Sequence, residues 1–104
     1  MKQEIATCQD AIRQTHGCAA SFSKTQFIRE KFNGITVWEG DIHSFRINHP
    51  SGARICYAWA EPTDQGTKTT AVLGVDPVTS AKKAVQAALV AKIRGITRNS
   101  LTNP

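Results

Sequence analysis

The sequence predicts a single α+β domain: an N-terminal helix, an antiparallel meander of three or four strands, and a C-terminal helix packed across the sheet. Three observations predict it. Apolar residues recur at helical spacing near the two ends of the chain, and the middle consists of extended runs punctuated by turn-forming dipeptides. The last amphipathic stretch carries an alanine-rich face, small enough to lie close on a sheet.

Size and composition set the frame. At 104 residues, with 40% hydrophobic and 20% charged residues, the chain can bury a core without a staple and is too short for a second domain. The ordered core is expected over residues 3–95, with 96–104 as a frayed tail. No apolar run approaches the roughly 20 residues of a membrane span, and Met1 to Asp10 lacks the apolar centre of a signal peptide. The expected location is therefore cytoplasmic, with no membrane partner. Cys8, Cys18 and Cys56 are odd in number and form no CxxC pair, which fits neither a disulfide scaffold nor a zinc module, so reduced thiols are expected. The spacings of His16, Cys18, His43 and His49 match no metal-ligand arrangement, and neither metal nor cofactor is expected.

The elements follow in order. Ile5, Cys8, Ala11 and Ile12 make one narrow apolar stripe between Lys2 and Gln14, and Gly17 supplies the stop. Gly17 to Ser23 reads as a loop. Ser23 with Gln26 resembles a capping box and admits a short helix to Phe32, which would allow a helix-turn-helix over residues 3–32. Asn33-Gly34 between FIREKF and ITVWEG is the strongest two-residue hairpin signal, and the hairpin is the favoured reading. Val37 is out of phase with Phe45 and Ile47, which predicts a bulge or bend near Gly40-Asp41. His49 to Gly52 is a turn. Residues 54–60 form the next strand, with Ala53, Ile55, Tyr57 and Trp59 on its core face. After the loop at Pro62 to Gly66, Thr69 to Val75 gives the last strand, with Ala71, Leu73 and Val75 inward. Trp38 and Trp59 are expected in the core or at the sheet edge.

The chemistry-bearing residues form no catalytic constellation. The eight carboxylates are scattered singly, and GxSxG, HExxH and phosphate-loop motifs do not occur. His43 and Asp41, on one strand, are the nearest approach to an acid/base pair. The protein is therefore expected not to be an enzyme, and no small-molecule substrate is evident.

Charge is more informative. The net charge is +5. Residues 1–76 balance, whereas from Pro77 onward Lys82, Lys83, Lys92, Arg94 and Arg98 meet no Asp or Glu. A basic patch of this kind is the electrostatic footprint of a nucleic-acid or anionic-surface binder. In Ser80 to Arg94, Ser80 is the natural N-cap, Ala81, Ala84, Val85, Ala88, Leu89 and Ile93 gather on the core side, and Lys82, Lys83, Gln86 and Arg94 face outward. Lysines in a first turn oppose the helix macrodipole, at about 0.3 to 1 kcal/mol each. A bound anion reverses that sign, because free backbone N–H groups and two ammonium groups then share one phosphate.

Ser80-Ala81-Lys82-Lys83-Ala84, with Ala87-Ala88-Leu89 and Ile93 as packing positions, resembles the last helix of the double-stranded RNA-binding domain. That family packs two helices on one face of a three-stranded antiparallel sheet, with a Lys-Lys pair at the start of its last helix straddling duplex phosphates. The resemblance implies that Lys82 and Lys83 contact phosphate and that the turn at His49 to Gly52 enters a minor groove. The Gly-x-Gly that precedes the lysines in the family is here Val75-Asp76-Pro77. The stretch VWEGDIHSFRINHPSGARICYAWAEP also resembles a segment of small bacterial proteins with no assigned function.

The function expected from the sequence is a non-enzymatic nucleic-acid-binding module, with duplex RNA as the favoured ligand and Lys82, Lys83, Arg94 and His49 as its binding residues. The alternative is a small protein-interaction or inhibitor module that uses a sheet edge or the aromatic hairpin around Trp38.

Overall fold

The computed structural model describes the backbone of residues 2–102 and the side chains of residues 3–92. Its elements are α1 (Lys2–His16), β1 (Ser21–Phe32), β2 (Ile35–Arg46), β3 (Ile55–Thr63), β4 (Gly66–Leu73) and α2 (Ala81–Thr102). The four strands form one antiparallel sheet in the order β1-β2-β3-β4. This is the α+β meander that the sequence predicts.

Local chemistry accounts for most boundaries. Gly17 stops α1 in a left-handed conformation, φ 71°, and its N–H bonds to Arg13 O at 2.9 Å. Asn33 and Gly34 both have positive φ, 52° and 77°, which is the turn geometry that matches strand twist. The hairpin reading is thus correct, and residues 21–32 are strand, which removes the helix-turn-helix alternative. The strand also starts earlier than expected, at Ser21. The phase change in β2 has a different origin from the one predicted near Gly40-Asp41. The register slips between Glu30 and Lys31, where Val37 is the extra residue on β2, and again between Phe22 and Lys24, where Ser23 is extra on β1. Gly40 has another role. A Cβ there would meet the Trp38 ring at 3.1 Å, so the indole occupies the space above the glycine.

The centre of the sheet, around β3, is buried on both faces. Tyr57 and Trp59 pack with Ile28, Ile42 and the α2 residues Ala81, Ala84 and Val85. Cys56 and Ala58 pack with Phe45, Ile47 and the α1 residues Cys8 and Ile12. Neighbouring residues of a strand point to opposite faces, so α1 and α2 lie on opposite sides of β3. The expectation of one core face on residues 54–60 is therefore corrected. Cys56 and Ala58 are fully buried because both are small and apolar, which lets α1 approach, and Ile55 at the strand's start is 41% exposed.

Two further expectations change. Val75 is exposed rather than inward, because β4 ends at Leu73, and Gly74 donates its N–H to Ile55 O at 2.8 Å. The chain then leaves the sheet in a turn closed by Val78 N–H to Val75 O, with a cis Asp76–Pro77 peptide. The last helix does not stop at Gly95 but runs to Thr102. One glycine within a helix costs about 1 kcal/mol relative to alanine, which a continuing helix absorbs.

The sheet is two hairpins joined by a short seam. β1–β2 and β3–β4 pair along their lengths, but β2 and β3 pair only over His43–Arg46 with Ile55–Ala58. That seam lies at the end of the sheet where α2 begins, since Ser80 and Ala81 line a cleft with Ser44, Arg46 and Ile55.

Candidate nucleic-acid interface

Ser80 caps α2 as predicted. Its hydroxyl accepts from Lys83 N–H at 3.2 Å, and its carbonyl accepts from Ala84 N–H at 3.0 Å. This leaves the N–H groups of Ala81 and Lys82 as first-turn donors without a partner inside the helix. Lys82 and Lys83 are exposed, and the first turn holds no acidic residue. The structure brings two further cations to this end. Lys24 of β1 and Arg46 of β2 line the same cleft as Ser80 and Ala81. Among the described residues, none of these four cations is in an ion pair; the pairs present are Arg29–Glu39 and His43–Glu4.

The other expected binding residues are placed differently. His49 lies in the β2–β3 loop, and its ring meets His16 of α1 edge to face, with centroids 6.0 Å apart. Its Nδ1 accepts from Ser51 N–H at 3.1 Å and lies 2.7 Å from Ser51 Oγ, so the imidazole holds its own turn. His49 thus sits beside α1, and Lys82 and Lys83 sit at the start of α2 across the sheet. The Arg94 side chain lies outside the described residues. The family resemblance implies both helices on one face, whereas here they occupy opposite faces.

His43 has partners that no sequence motif indicates. The ring is fully buried, its Nε2 bonds to Glu4 of α1, and its Nδ1 lies 2.8 Å from Thr25 Oγ1 of β1. A carboxylate can only accept, so in the neutral ring Nε2 carries the proton and Nδ1 accepts from the threonine hydroxyl. Hydroxyl, imidazole and carboxylate are in the order of a nucleophilic triad. The imidazole is sealed between α1 and the sheet, however, and the trio ties α1 to β1 and β2. Asp41 takes no part in it. Glu4 and His43 are 39 positions apart, so only the fold could bring them together.

The three thiols also meet on the α1 side. Cys8 and Cys56 are in the core there and Cys18 packs against it, all three as free thiols. Burial pushes Cys8 up to about 11 and Cys56 up to about 12, with neighbouring Glu4 adding to the first and Cys18 and Cys8 to the second. These are packing residues, not nucleophiles. Among the described residues, no group of three His, Cys, Asp or Glu side chains is placed to hold a metal, and no helix is long and apolar enough to cross a membrane.

A larger cleft of about 630 Å3 runs along α2 past Trp38, Trp59, Glu61, Leu89 and Lys92. Trp38 meets Trp59 at 5.9 Å, edge to face, and donates its indole N–H to Glu61 at 3.4 Å. Both tryptophans serve packing, as expected.

Comparison with protein-family models, curated proteins and solved structures gives no match.

Proposed function

We propose that the protein is a non-enzymatic nucleic-acid-binding module that holds phosphates at the N-terminal end of α2, with duplex RNA as its ligand. The observation that carries this reading is the gathering of Lys24, Arg46, Lys82 and Lys83 around the capped start of one helix, none of them in an ion pair among the described residues. Four unpaired cations beside first-turn amides are suited to a row of phosphates. They include no array of Asn, Gln or Arg forks for base edges, which favours reading of backbone and shape.

The test is titration with duplex RNA, duplex DNA and single strands at two salt concentrations. The reading expects tightest binding to duplex RNA and marked weakening at the higher salt. Affinity that is flat with salt, or no binding to any nucleic acid, would overturn it.

A second reading is favoured by the distal part of the first hairpin. Phe27, Phe32, Ile35 and Val37 are all exposed there, on or beside the edge strand β1. Such an apolar, edge-bearing arm suits a protein partner. That reading expects a stoichiometric protein in a pull-down that survives nuclease treatment.

A further inference from the structure

The cleft at the start of α2 contains a feature that a general basic surface does not need. Lys24, Ser44 and Tyr57 are successive register partners across β1, β2 and β3, and all three line it. Ser44 is only 4% exposed, and its Oγ has no hydrogen-bond partner. A buried hydroxyl left unpaired is costly, and packing alone would be served as well by alanine. The unpaired hydroxyl therefore points to a missing partner. The cleft that Ser44 lines is also lined by Ala81 at the start of α2, by Lys24 and by Arg46, and its lining includes no Asp or Glu. The charged side chains of the lining are thus both cations. That set matches a compact oxyanion and would repel a cation.

We infer that this cleft, about 220 Å3 in volume, is a binding site for a single phosphate group, with Ser44 Oγ and the first-turn amides of α2 as donors and Lys24 and Arg46 as counter-charges. Ser44 forms the floor and the cations the rim, since Lys24 and Arg46 are exposed. A phosphate reaching the floor has to project from its parent. A phosphomonoester at the end of a strand does so, whereas a diester within a duplex is flanked on both sides. The source is accordingly a 5′-terminal phosphate of RNA, an assignment that rests on the nucleic-acid reading above; the phosphate site itself rests on Ser44 and its neighbours.

The experiment has two arms. In the first, inorganic phosphate is titrated into the folded protein and the amide resonances of Ser44, Ala81 and Lys82 are followed. Saturable shifts are expected in the wild type and their loss in Ser44→Ala and Arg46→Gln, with Ser44→Ala remaining folded because it removes only an unpaired hydroxyl. In the second arm, duplex RNA bearing a 5′-phosphate is compared with the same duplex bearing a 5′-hydroxyl. The phosphorylated form should bind about tenfold tighter, and Ser44→Ala should erase that ratio while both forms keep their residual binding. The absence of saturable shifts, or shifts unchanged in both variants, overturns the site. Shifts with equal binding of the two RNAs overturn the terminal assignment and leave backbone binding in place. Shifts with no RNA binding at all uphold the phosphate site, make a small phosphomonoester its ligand, and overturn the nucleic-acid reading.

Discussion

Glu4 of the first helix hydrogen-bonds the buried imidazole of His43 in the second strand, and Thr25 of the first strand holds the other ring nitrogen at 2.8 Å. One histidine thereby joins three elements on the face opposite α2. Removing the carboxylate leaves a fully buried ring nitrogen without its acceptor. Glu4→Ala should cost about 1 to 3 kcal/mol in a urea titration. It should leave RNA affinity unchanged, because the proposed interface is at the start of α2; an equal loss of affinity in folded Glu4→Ala would place His43 in the binding site instead.

The thiols give a test of the α1 face. Cys8 and Cys56 are fully buried, and Cys18 is partly exposed. At pH 8 a thiol with a pKa of about 11 is thiolate in roughly one molecule per thousand. A disulfide reagent applied to the native protein should modify Cys18 first, and Cys8 and Cys56 only on unfolding, as read by mass spectrometry.

Stability should also fall in alkali. The folded-state values of Cys8 and Cys56 lie above the ordinary 9.0 of an unfolded thiol, so the folded state holds these protons more tightly. Their contribution is intact below about pH 9 and is lost as pH rises towards 11 to 12, at up to about 1.4 kcal/mol per pH unit for each thiol. Unfolding free energies of wild type and Cys8→Ala, compared from pH 8 to 10.5, should converge as the pH rises.

Gly40 and Trp38 test the other face. A methyl group at position 40 would stand 3.1 to 3.3 Å from the indole, so Gly40→Ala requires the Trp38 ring to give by a few tenths of an ångström. A cost of about 1 to 3 kcal/mol is expected, with a changed near-ultraviolet circular dichroism signal from the Trp38–Trp59 pair. Trp59→Ala should cost more, about 3 to 5 kcal/mol. Trp59→Phe should cost less than ring size alone suggests, because the Trp59 Nε1–H is buried without a partner.

Much of this fold can be read from local signals. The stop at Gly17, the Asn33-Gly34 turn and the Ser80 cap are each decided by one or two residues, and each is found where the sequence places it. What could not be read depends on contacts between distant segments. Alternation along residues 53–59 does not say that Cys56 and Ala58 face a second helix, because small residues suit either a solvent-facing or a closely packed position. Nor could it place Ser23 and Val37 as bulges, which depend on the register of the partner strand. In the proposed interface, Lys82 and Lys83 stand out in the sequence by their unfavourable place in a first turn. Lys24, Ser44 and Arg46 gave no such signal; only strand pairing sets them beside α2.

The proposed phosphate contacts of Lys82 and Lys83 are tested by the salt dependence of duplex RNA affinity for wild type and for the Lys82→Glu/Lys83→Glu variant, with folding verified by thermal unfolding. Each lost phosphate contact should reduce the slope of log K against log salt by about 1, so the double variant should bind more weakly with a slope shallower by about 2. A folded double variant with the affinity and slope of the wild type would contradict the account.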